Sequence, residues 1–140
     1  MARSFPLAGL LRLRQLQQDQ AAGHLAAANN RARESGARVV AARNELGEII
    51  SEVSDAATLH AVAAARSASR SMLADLENLD RTRQHEAHQA QQEFLAVRKQ
   101  SVGLEKLETR HVEAEAVEEL RREQLVLDEL SIGARGGDGR

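Results

Sequence analysis

From Leu7 to Val53 the chain steps through Leu11, Arg14, Gln18, Ala21, Leu25, Ala28, Ala32, Ser35, Val39, Ala42, Leu46 and Ile49 at alternating intervals of four and three, a seam sustained for more than six heptads. That spacing keeps one narrow face of a helix turned toward a partner helix along its whole length. The seam is thin, with many Ala entries and the polar Arg14, Gln18 and Ser35, so the partner must come close. Gly23, Gly36 and Gly47 each weaken the helix by up to about 1 kcal/mol relative to Ala. The cluster Asn29, Asn30, Ser35 and Gly36 marks where a kink would fall.

The partner is in the same chain. A second seam runs from Leu59 through Val62, Ser69, Leu73, Leu76, Asp80, Ala87, Ala90, Phe94, Val97, Ser101 and Leu104. Between the seams lies SEVSDAATLH, residues 51–60, where Ser51, Ser54, Asp55 and Thr58 are side chains that cap a new helix by accepting from its first free N–H groups. The reversal is therefore placed at 51–59. Folding about residue 56 puts Ile49 near Val62, Val39 near Leu73, Ala21 near Ala90, Gln18 near Phe94 and Leu7 near Leu104. With arms of about 50 residues at 1.5 Å rise, such a hairpin would be about 75 Å long. The expected fold is all-α, a long antiparallel two-helix coiled-coil hairpin over residues 1–131. The glycine-rich SIGARGGDGR at the end predicts a disordered tail over 132–140.

The stretch Phe94–Leu130 reads as one apolar stripe through Phe94, Val97, Leu104, Leu107, Ala114, Val117, Leu120, Leu127 and Leu130. The first arm ends while the second still has Glu105–Leu130 to run, so those residues overhang. Leaving their Leu and Val side chains in water forgoes several kcal/mol at about 25 cal/mol per Å². The start, FPLAGLLRLRQLQ, has more leucine than a two-helix seam uses and lies at the same end. A membrane-surface helix with Arg12 and Arg14 at the headgroups is the bland reading of that start. The reading preferred here is one apolar tip with Leu10, Leu13, Leu120, Leu127, Asp128, Glu129 and Leu130 as partner-binding residues.

Composition removes most other functions. Two Phe with no Trp or Tyr cannot fill a globular core, and 29% of the residues are charged. No cysteine is present, which excludes disulfides and Cys-based zinc sites. No apolar run approaches the roughly 20 residues of a membrane span, and the start is broken by arginines too early for a signal peptide. These features fit a cytoplasmic protein. Residues 1–50 carry seven Arg against four acidic side chains, and residues 101–140 carry six basic against ten acidic, so the ends attract. Neither a basic face nor stacking aromatics is present, which argues against nucleic acid. His85 and His88 share a helix face with Glu86, but lie among glutamines without a third ligand, so no metal is expected. His24, His60 and His111 are solitary. No nucleophile with a base, phosphate loop or carboxylate pair in a cleft occurs, so neither catalysis nor a cofactor is expected. The run 113–123, EAEAVEELRRE, reads as solvated surface before it reads as an acidic dock.

In the order of its motifs the chain resembles the FliJ family, the soluble coiled-coil component of the flagellar type III export apparatus. The resemblance rests on Phe5, LLRLR at Leu10–Arg14, Ala21, Leu25, Ala26 and Ala28, LEKLETRH at residues 104–111, and EQLVLDEL at residues 123–130. It spans nearly the whole chain, although the near absence of aromatics leaves the family's aromatic gate contacts without counterparts. The resemblance implies a hairpin similar to the central stalk of rotary ATPases. Its two-termini end would enter the pore of the hexameric export ATPase, and its shaft would meet the membrane export gate and handle export chaperones. It also implies a monomer when isolated and a peripheral place at the inner face of the cell membrane. The rival readings are a structural coiled coil that self-associates by burying its tips, and a rotary ATPase stalk subunit, which length disfavours.

Overall fold

The computed structural model describes residues 3–49 and 55–137, and among them there are two helices and no strand: α1, Ala8–Glu48, and α2, Ala56–Gly136. The chain divides into two compact units, one joining the stretch up to Gln18 with the stretch from Val97, the other Asp19–Ala96. In each, α1 pairs with α2 antiparallel, and the all-α hairpin topology is as the seams predict. α1 is unbroken through Gly23, Gly36 and Gly47, since a glycine flanked by good helix formers softens a helix without ending it.

In the Asp19–Ala96 unit the predicted seams are the covered ones. Ala21, Leu25, Ala28, Ala32, Ser35, Val39, Ala42, Leu46 and Ile49 of the first, and Val62, Ser69, Leu73, Leu76, Asp80, Ala87, Ala90 and Phe94 of the second, are buried or half-buried; Leu59 is exposed. Their register differs from the expected one by three or four residues. The Arg66 guanidinium donates to the Ile49 carbonyl at 3.2 and 3.3 Å, Arg43 pairs with Glu77 at 3.0 Å, and a Cβ on Gly36 would lie 3.8 Å from Asp80 Oδ1. These contacts set Val39 against Leu76 and Ala21 against Phe94, not Leu73 and Ala90. Seam spacing cannot choose between the two, because sliding by one seam step again puts seam on seam. Size chooses: in the observed register Phe94 meets Ala21, Leu73 meets Ala42, Leu46 meets Ser69, and Asp80 meets the small pair Ser35–Gly36.

The turn expected at 51–59 lies partly outside the described residues, which resume at Asp55. Its carboxylate accepts from the Thr58 N–H at 2.7 Å and its carbonyl accepts from the Leu59 N–H at 3.0 Å, the arrangement of an N-cap. The hydrogen bonds with Thr58 hold the Asp55 carboxyl below the usual carboxylate range. Thr58 and Leu59, placed in the turn by the sequence, are already helical.

Candidate functional surface

In the unit formed by residues up to Gln18 and from Val97, the seam goes on. Leu11 is 5% exposed, Ser101 is fully buried, and Val97, Leu104, Glu108, His111 and Glu115 are half-buried at steps of three and four. Residues ahead of α1 supply the cover for the last of these. His111 Nε2 donates to the Arg3 carbonyl at 2.9 Å, the Arg3 N–H donates to Glu115 Oε2 at 3.3 Å, and the Phe5 ring lies 5.6 Å from the His111 ring, tilted by 47°. The overhang therefore begins about eleven residues later than Glu105. The sequence reading missed this clasp because Arg3 and Phe5 carry no helical periodicity.

Beyond the clasp nothing among the described residues covers α2. Every described residue from Ala116 to Gly137 is exposed, including Val117 and Leu120 at 66%, Leu127 at 60% and Leu130 at 65%. Asp128 and Glu129 are exposed with them. Helix, not tail, occupies residues 132–136, since one glycine in a turn does not stop a helix already propagating. The expected tail at 138–140 lies outside the described residues.

The apolar stripe is not single. At about 100° per residue, Val117, Leu120 and Leu127 fall about 160°, 140° and 120° from the seam residue Glu115, and Leu130 lies about 60° from it, between that group and the seam line. The line that would extend the seam is taken by Glu118, Glu119, Arg122 and Glu129, with Val126 between them. Up to Glu115 the seam faces α1; past it, Val117, Leu120 and Leu127 face away, while Val126 and Leu130 stay nearer the seam line. The three-residue steps 114, 117 and 120 cause the change, because without compensating fours they walk the stripe around the helix.

The expected single tip is likewise two patches. Leu10, Leu13 and Leu16 on α1 are 39%, 49% and 56% exposed. Leu13 and Leu16 point away from buried Leu11, so they too lie outside the seam. In the observed register Leu13 stands beside Val102 of α2, and Leu120 follows eighteen residues on, about 27 Å along the helix. Leu10 and Leu13 are thus not brought together with Leu120, Leu127, Asp128, Glu129 and Leu130.

This surface offers packing and charge without site chemistry. Near the stripe the surface dips into a shallow groove lined by Glu119, Arg122, Glu123, Val126 and Leu127. His85 and His88 are exposed, and no group of three metal-ligating side chains gathers among the described residues. No helix among them is long and apolar enough to cross a membrane.

Compared with known proteins, residues 3–135 match the family model described as "Flagellar FliJ protein". No curated protein and no solved structure matches the chain.

Proposed function

Because the chain belongs to the FliJ family of flagellar export components, we propose that it is a non-enzymatic activator that docks on the hexameric export ATPase through the overhanging part of α2. One observation carries this reading: a 21-residue helical run, Ala116–Gly136, presents Val117, Leu120 and Leu127 with no partner among the described residues. An amphipathic helix of this kind lays its apolar face into a groove on another protein. A ligand shifts a conformational equilibrium only by its unequal affinity for the states, so the overhang activates by binding better to the ring conformations that turn over. The same reading extends to a link to the membrane export gate, an escort role for export chaperones and a peripheral position at the inner membrane face, as the family resemblance implies. In this reading the chain reaches the membrane through the gate.

The test measures ATP hydrolysis by the purified export ATPase with full-length protein, with protein truncated after Val117, and with buffer. Stimulation by the full chain, none by the truncated one, and no hydrolysis by either alone is the expected result. Equal rates in all three arms would leave a passive scaffold as the account.

A further inference from the structure

Two apolar patches of one unit stay outside the seam, and their charges are opposite. Around Leu10, Leu13 and Leu16, the stretch Arg3–Gln18 carries Arg3, Arg12 and Arg14 and no acidic residue. Around Val117, Leu120 and Leu127, the stretch Glu113–Leu130 carries seven acidic residues and two arginines. Within one molecule the patches cannot meet, being about 27 Å apart on antiparallel helices of the same unit. Between two molecules they can.

We propose that this surface has a second occupant, another copy of the chain, in a reciprocal dimer: the overhang of each copy lies along the α1 start of the other. A two-fold axis between the overhangs gives the same contact twice, as an isologous interface requires. It sets each copy's α2 antiparallel to the other's and so parallel to the α1 start it covers. Charge selects this pairing over the simpler one. Overhang against overhang sets two acidic helices side by side, whereas overhang against α1 start sets an acidic helix against a basic one across a leucine contact, with Glu123 and Asp128 flanking the stripe and Arg12 beside Leu13. The dimer buries the stripe assigned above to the ATPase, so dimer and ATPase complex exclude each other. The isolated protein is then a dimer at high concentration, in place of the monomer that the family resemblance implies.

The dimer needs no ATPase, so its test is independent of the function proposed above. Sedimentation equilibrium of the full chain, from micromolar concentrations upward, reads it directly. The expected result is a concentration-dependent dimer that weakens with added salt. Leu13→Asp and Leu127→Asp should each raise the dissociation constant about tenfold or more, since each spoils one side of both contacts. An equimolar mixture of the two variants should regain dimer, because the mixed pair keeps one contact intact on both sides. Circular dichroism establishes that both variants are helical, and Leu13→Ser with Leu127→Ser is the milder pair if either is not. A wild-type chain that stays monomeric throughout, a dimer indifferent to Leu13→Asp, or a mixture no more dimeric than its components would each overturn the proposal.

Discussion

Single residues show where this thin seam gains stability and where it spends it. Asp55 caps α2 through its bond from the Thr58 N–H, and its hydrogen bonds with the Thr58 side chain and then the Thr58 N–H hold its carboxyl below the ordinary range. A depressed carboxyl stabilises the fold above its unfolded pKa, and the contribution is lost as pH falls through the folded value. Asp55→Ala should therefore lower the melting temperature near neutral pH, and the gap from wild type should close in melts taken below the usual carboxylate range. Ser101 spends stability. Its side chain is fully buried and its hydroxyl finds no hydrogen-bond partner among the described residues. An unmet buried hydroxyl costs about 1–3 kcal/mol, and Ala is also the better helix former. Ser101→Ala should thus leave stability unchanged or raise it by about 1 kcal/mol in urea unfolding, the reverse of the usual result for a fully buried position.

At the scale of the helices, most of the fold was legible before any coordinates, because period is a local property. Each seam position from Leu11 to Ile49 and from Val62 to Leu104 is sheltered in the structure. Register was not legible, since a repeating seam fits itself at several offsets and size matching at Phe94–Ala21 and Asp80–Gly36 breaks the tie. Cysteines at Ala28 and Ala87 should cross-link readily on mild oxidation, while a pair at Ala21 and Ala90, one helical turn out of step, should not. The opposite preference would restore the register expected from the sequence. Seam and surplus should also respond differently to charge. Val39 is 5% exposed, so Val39→Asp buries an unpaired carboxylate and should cost several kcal/mol. Leu127 is 60% exposed, so Leu127→Asp, melted at low concentration, should leave helicity and melting nearly unchanged. Comparable losses in the two variants would mean that the end of α2 packs inside the protein.

For the molecule as a whole, the surface proposed for binding was only half legible. The sequence shows that surplus leucine sits near both ends of the chain, but one stripe and one tip were expected where there are two faces and two patches. The change of face past Glu115 lies in the three-residue steps of the sequence, but where the overhang begins depends on where the cover by Arg3 and Phe5 stops, and that is a tertiary fact. It divides the molecule into residues that hold the fold and residues that do not. Amides in the seam open only with the loss of packing along it, whereas those of Ala116–Gly136 open by fraying of an unsupported helix at far lower free energy. Hydrogen exchange at low protein concentration should therefore show slow amides from Val97 to about Glu115 and fast ones beyond it. When the export ATPase is added, protection should rise in the Val117–Leu130 segment and leave the Ala28–Val39 seam as it was. Protection of Ala116–Gly136 equal to the seam's in the free, dilute protein would mean that the helix end already has an internal partner, and the surplus that both binding proposals depend on would not exist.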